Sequence, residues 1–142
     1  MQSVKQMLEN KPNVVHAVGP QDMVFEAIKR MATHGVGALV VLENELLVGI
    51  LSERDYARKV ILQGKSSKDT PVAQIMSTPV ITTTLSTRAN ECMRLMTDRR
   101  IRHLPVVESG KVLGVLSIGD LLKLVIATQQ REIEQLNQYI SG

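Results

Sequence analysis

Residues 49–55 read GILSERD, and sixty-five positions later residues 114–120 read GVLSIGD, with the Gly, Leu, Ser and Asp restored at the same internal spacing. Each heptapeptide follows a run rich in β-formers and precedes an apolar run at helical spacing. A fixed shift of 65 aligns the flanking sequence without a gap through Ile126, pairing Val15 with Val80, Glu26 with Glu91, Met31 with Met96 and Leu39 with Leu104. Val41 with Val106, Glu43 with Glu108, Val60 with Val125 and Ile61 with Ile126 follow under the same shift. The chain is therefore built from two copies of one unit. Matched aliphatic residues are what any repeated core retains. Ser and Asp are not core residues, and their return asks for another reason.

Outward from the heptapeptide, the first copy predicts a strand over 14–18 closed by Gly19 and Pro20. A helix from an Asp22 N-cap to His34 follows, with Val24, Ala27, Ile28, Met31 and Ala32 on one face and Gly35 as its stop. A strand over 36–42, a polar turn at Glu43, Asn44 and Glu45, and a strand over 47–51 lead to a helix capped by Ser52 that ends at Gly64. Ahead of this unit Val4, Met7 and Leu8 are spaced as a lead-in helix that Pro12 ends. Between the copies a polar linker leads to a short helix from Thr70 and Pro71 through Met76. The expected organisation is a lead-in helix at 1–13, repeats at 14–64 and 80–128, a linker with a short helix at 65–79, and a helical extension at 129–142. The tail places Ile126, Ile133, Leu136 and Ile140 near heptad spacing, interrupted by Gln129. Two readings stand for it: a helix folded back on its own domain, or a short dimer contact.

The 142 residues suffice for one compact core. Aromatics are limited to Phe25, Tyr56 and Tyr139, so the core is aliphatic, and the stacking platforms of single-strand nucleic-acid binders are missing. The net charge of +3 is mild, with Arg99, Arg100, Arg102 and His103 forming a local patch suited to a small phosphate ligand. Lone Cys92 excludes an intrachain disulfide framework, and His16 and His34 have no companion cluster for a metal. No apolar run spans a bilayer and no signal-peptide core is visible, so a cytoplasmic protein with no membrane or nucleic-acid partner is expected.

In each copy a strand ends in Ser and a helix begins with Asp three residues on. The free N–H groups of a first helical turn, the positive end of its dipole and the Ser hydroxyl favour an anion such as phosphate. A carboxylate one turn along can accept from the vicinal hydroxyls of a ribose, as in dinucleotide folds. A capping box, worth roughly 1 kcal/mol, uses the same two residues without any ligand. The repetition and the nearby cations favour the ligand.

On these residues, and on RHLPVVESGKVLGVLS between the two helices of the second copy, the chain resembles a pair of cystathionine-β-synthase (CBS) domains, a tandem often called a Bateman module. The resemblance runs from residue 14 to about residue 128. It implies a mixed α/β fold of two pseudo-twofold-related β-α-β-β-α repeats packed through their sheets, commonly dimerising into a disc. It also implies a non-catalytic regulatory module whose clefts bind AMP, ADP, ATP, NAD(H) or S-adenosylmethionine, working as a homodimer or on a further protein partner. By resemblance, Asp120 and Asp55 are the ribose acids and Ser117 and Ser52 the phosphate-side hydroxyls. Arg102, His103, Leu104 and Pro105 flank the base, Thr82, Thr83 and Thr84 supply polar contacts, and Gly37, Ala38 and Leu39 hold the matching places in the first copy. Arg54 has Gly119 as its counterpart. From this asymmetry GVLSIGD, backed by Arg102, His103 and Pro105, is expected to favour adenosine, and GILSERD, with Arg54, phosphate. A dimerisation scaffold, in which Ser and Asp only cap helices, is the alternative.

Overall fold

The computed structural model describes residues 2–11 and 14–141. Helix α1 (Val4–Glu9) is followed by β1 (Ala17–Val18), α2 (Val24–His34), β2 (Ala38–Glu43), β3 (Leu46–Ser52) and α3 (Glu53–Tyr56), which widens into a π-helical turn at Ala57–Ile61. After a 3₁₀ turn at Val72–Gln74 come α4 (Ala89–Arg99), β4 (His103–Glu108), β5 (Lys111–Ser117) and α5 (Ile118–Ser141). Pro12, expected to end the lead-in helix, lies outside the described residues.

The expected mixed α/β pair of repeats is present, with one small sheet in each. Strands β2 and β3 pair antiparallel with Leu39 opposite Leu51, and β4 and β5 repeat the register with Leu104 opposite Leu116. Both hairpins turn on two left-handed residues, Asn44 and Glu45 in one and Ser109 and Gly110 in the other. That geometry matches the right-handed twist of the flanking strands.

Several expectations need correction. Strand β1 is two residues long, and Met23 rather than Asp22 is the N-cap of α2. The Asp22 carboxylate instead accepts from the Gly19 N–H at 2.8 Å, closing the turn before the helix. The short helix at 70–76 is only the 3₁₀ turn. In the second copy the first strand shrinks to a single parallel bridge, Thr83 to Val106, where the first copy has two, at Ala17–Val40 and Val18–Val41. Pro105 is the cause. Val40 donates its N–H to the His16 carbonyl, and proline at the matching place has none to give. The tail of α5 does not fold back, because residues 129–141 are exposed.

Residues 65–79 are not merely a linker. Val72 and Ile75 are buried in the first repeat's core with Val18, Leu39 and Leu51, while Val4, Met7 and Leu8 are buried in the second repeat's core with Leu104 and Leu116. Each arm thus precedes one repeat and packs on the other. The backbone bonds repeat too. Val72 N–H donates to the Asp22 carbonyl and Val4 N–H to the Thr87 carbonyl, both at 2.8 Å. The arms also account for the repeated glycines. A Cβ on Gly49 would sit 2.5 Å from the Met76 sulfur, and one on Gly114 2.9 Å from Leu8 Cδ2. Glycine leaves the seat in which each arm rests.

Candidate functional site

Both Ser–Asp pairs form complete capping boxes. Asp55 N–H donates to Ser52 Oγ at 3.1 Å and Ser52 N–H donates to Asp55 Oδ2 at 3.0 Å. In the second copy Asp120 N–H donates to Ser117 Oγ at 3.1 Å and Ser117 N–H to Asp120 Oδ2 at 2.8 Å. These bonds set each carboxylate against the first turn of its helix, where the dipole favours an anion.

A cleft opens beside each box. The first, of about 600 Å³, is lined by Ser52, Arg54, Asp55, Arg58 and Lys59 of the first repeat, by Ser77, and by Arg100, Arg102 and His103 of the second repeat. The second, of about 450 Å³, is lined by Ser117 and Asp120 with Gly35, Val36, Gly37 and Ala38 of the first repeat, and by Leu8 and Lys11 of the N-terminal arm. Both volumes suit a small organic ligand. Each cleft therefore combines the helix start of one repeat with the strand entry of the other. Arg102, expected beside Asp120, lines the Asp55 cleft, while His103 and Gly37 line both. A Cβ on Gly37 would approach the His103 ring at 3.4 Å, so these two residues form the common wall.

The remaining expected residues stand elsewhere. Leu39, Leu104 and Pro105 are buried in the sheets and line neither cleft. Thr82 is exposed, and Thr84 Oγ1 lies 3.3 Å from Ser86 Oγ and 3.2 Å from Thr87 Oγ1 in the loop before α4. Thr83 is buried, with its hydroxyl 3.8 Å from Cys92 Sγ.

Ser77, Lys59 and Lys11 are among the lining groups that escape a sequence reading restricted to the heptapeptides. Asp55 Oδ1 accepts from Ser77 Oγ and from Lys59 Nζ, each at 3.1 Å, and Ser77 N–H donates to the Ile50 carbonyl at 2.8 Å. In the second cleft one ammonium takes both tasks. Lys11 Nζ donates to Asp120 Oδ2 at 2.6 Å and to the carbonyl of Val115, the counterpart of Ile50, at 2.7 Å. Lys59 was discoverable as the basic residue one helical turn from Asp55. No local pattern joins Lys11 to Asp120.

Burial alone would push the Asp120 carboxyl up, but hydrogen bonds from Lys11 and Ser117 outweigh it and hold the group below its ordinary 3.8. Burial pushes the His103 imidazole below 6.5, Lys11 and Arg102 act the same way, and Glu53 and Asp120 oppose them. His103 is thus neutral at pH 7 and can donate or accept at the wall. His16 also lines the second cleft, its ring stacked on His34 with centroids 3.9 Å apart. Among the described residues no three His, Cys, Asp or Glu side chains are grouped to hold a metal ion. No described helix is long and apolar enough to cross a membrane.

The duplicated unit, with its arm, is a known one: the model of the CBS domain matches residues 4–61 and again 72–127. The chain belongs to the CBS domain family. Both CBS matches begin at the first residue of an arm, so the arm is counted with the repeat it precedes although it packs on the other. Over 126 residues the chain is 47% identical to the mitochondrial CBS domain-containing protein CBSX3 of Arabidopsis thaliana. That alignment covers 85% of this chain and 61% of the relative, so the chain spans less than two thirds of its length. Among solved structures, a protein with CBS domains from Burkholderia ambifaria superposes with a TM-score of 0.87 at 49% identity, covering 90% of this chain and 96% of its own. The CBS domain pair of protein MJ0100, determined in complex with 5′-methylthioadenosine and S-adenosyl-L-methionine, shares the fold at 23% identity and a TM-score of 0.81, covering 90% of this chain and 98% of its own.

Proposed function

We propose that this CBS pair is a non-catalytic regulatory module that binds adenosine-containing ligands, AMP, ADP, ATP or NAD(H), in its two clefts and works as a cytoplasmic homodimer. The observation that carries the proposal is the first cleft, where the exposed Arg54, Arg58, Arg100 and Arg102 converge on a carboxylate at a helix start. Arginines supply planar, paired donors for phosphate, and Asp55 supplies an acceptor for ribose hydroxyls. The second cleft, with Lys11 as its cation and Leu8, Val14 and Val36 on its walls, suits a nucleoside carrying less charge. The adenosine compounds held by protein MJ0100 are of the same chemical class. A ligand at a hundred times its Kd stabilises the bound state by about 2.7 kcal/mol, which bounds any signal passed to a partner.

Isothermal titration with AMP, ADP, ATP, NADH and S-adenosylmethionine tests the proposal, with Asp55→Ala and Asp120→Ala assigning heat to each cleft. Heat from at least one compound, lost in one variant, is expected. Silence from all five, together with no small molecule released on denaturing the purified protein, would sink it.

A second reading rests on a specific observation: both Ser–Asp pairs are complete caps without a ligand. In that case the pair is a dimerisation scaffold. Both Asp→Ala changes would then lower stability, and a thermal-shift screen of the same compounds would move neither the parent nor the variants.

A further inference from the structure

Helix α5 carries an apolar stripe that its own domain leaves uncovered. Leu121 and Leu124 are buried, whereas Leu122 is 50% exposed, Ile126 and Ile133 each 55%, Leu136 62% and Ile140 80%. With the exposed Gln129, these positions step 4, 3, 4, 3, 4 along the helix. That is the a/d spacing of a coiled coil, and it holds from the folded body to the last described turn. Assigning Leu122 to d puts isoleucine at every a position, 126, 133 and 140, and leucine at d positions 122 and 136. Isoleucine at a with leucine at d favours two parallel strands.

We propose that α5 pairs with α5 of a second copy of this chain as a parallel, in-register, two-stranded coiled coil through residues 122–140. This assigns a surface to the homodimer proposed above and rests on that reading. The flanks agree with the arrangement: across the seam Val125 meets the partner's Gln130 and Glu132 the partner's Asn137, so no like charges oppose one another. Residues 129–141 extend about 20 Å beyond the part of α5 that packs on the domain, which leaves room for a second helix alongside. The area sets the strength. Ten aliphatic side chains from two helices remove on the order of 600 Å² from water. This falls at the weak end of specific interfaces, and Gln129 at a d position weakens it further. The dimer therefore dissociates on dilution.

Sedimentation equilibrium of the full chain across roughly 1–500 µM tests the seam, since weak interfaces dissociate in this range. The expected result is a monomer–dimer equilibrium that Ile133→Glu with Leu136→Glu abolishes at every concentration. Both residues lie outside the core, so the circular dichroism melt of the double variant stays that of a folded protein. Gln129→Leu lowers Kd at least about tenfold, and Gln138→Glu on the outer face leaves it unchanged. For orientation, Gln129→Cys oxidised with glutathione disulfide yields a covalent dimer, because a parallel pair places the two thiols opposite each other while Cys92 is buried. A dimer indifferent to the double change rejects the seam but leaves the homodimer standing. A chain monomeric throughout rejects both, and a Gln129→Cys dimer that stays uncrosslinked rejects the parallel register.

Discussion

The two clefts are assembled from equivalent positions and differ most at three of them. Where the first has Arg54, Arg100 and Arg102, the 65-residue shift places Gly119, Gly35 and Gly37 in the second. Much of the scaffolding around these positions is shared: the same hairpin register, capping box and seated arm occur in both repeats. Duplication has kept the parts that hold a carboxylate at a helix start and has let the electrostatics diverge. One Arg-for-Gly exchange falls at the residue after a helix. Gly35 caps α2 at φ 64°, and Arg100 caps α4 at φ 55°, a left-handed conformation that costs a side chain about 1 kcal/mol. Arg100 thus takes a strained place, and its carbonyl accepts from Arg54 at 3.3 Å across the two repeats.

The largest way to break the comparison is through the arms. Leu8→Asp and Met76→Asp each place a charge against a glycine seat, at an expected cost of about 3 to 5 kcal/mol. Because the arms cross, hydrogen exchange should rise first over residues 103–117 in the Leu8 variant and over 38–52 in the Met76 variant. The reverse assignment would refute the crossing. Next in size, Arg54→Gly, Arg100→Gly and Arg102→Gly together give the first cleft the glycines that stand at the matching positions of the second. At about 1 kcal/mol for each screened contact, ATP should bind about a hundredfold more weakly while adenosine changes little, which calorimetry would read. Equal losses for both ligands would mean that the arginines act on cleft shape.

Arg100→Gly alone sharpens the same point from the side of stability. Chemical denaturation should show a gain of about 1 kcal/mol as the left-handed residue is relieved, and Gly35→Arg a similar loss. Smallest is Lys11→Met, which unties Asp120 at an expected cost below about 1 kcal/mol at pH 7, because the pair is about a third exposed. The sign is fixed by the lowered carboxyl. Its contribution is present above pH 3.8 and is lost as pH falls through the folded value. Parent and variant should therefore converge in stability once the pH has fallen through the folded value of the Asp120 carboxyl.

Much of this was legible in the residues. Two copies of Gly-x-Leu-Ser-x-x-Asp were enough to indicate the repeat, its element order and the positions of both carboxylates, because helix and strand periods and Ser caps are local signals. The arms were not, although VKQML at 4–8 and VAQIM at 72–76 share Val and Gln at a shift of 68 rather than 65. A spacer of different length separates each arm from its repeat, and where an arm packs is a tertiary fact. Arg102 lines the Asp55 cleft rather than the Asp120 cleft for a related reason. His103 pairs with Ser117 in the ladder, but the residue before it lines the cleft of the other repeat. Lys11 meets Asp120 across 109 positions, a separation that no spacing rule reaches.

The crossed arms also constrain how this chain could be divided. Cut between residues 64 and 65, each fragment would carry the arm that seats on the other and lack its own cover, so neither half could bury its core alone. The two pieces would complete each other by exchange, as fragments of a split protein do. Two identical halves of this kind would form a swapped dimer by the same exchange. A single gene of that kind, copied and fused end to end, would need no new contact to become the present chain.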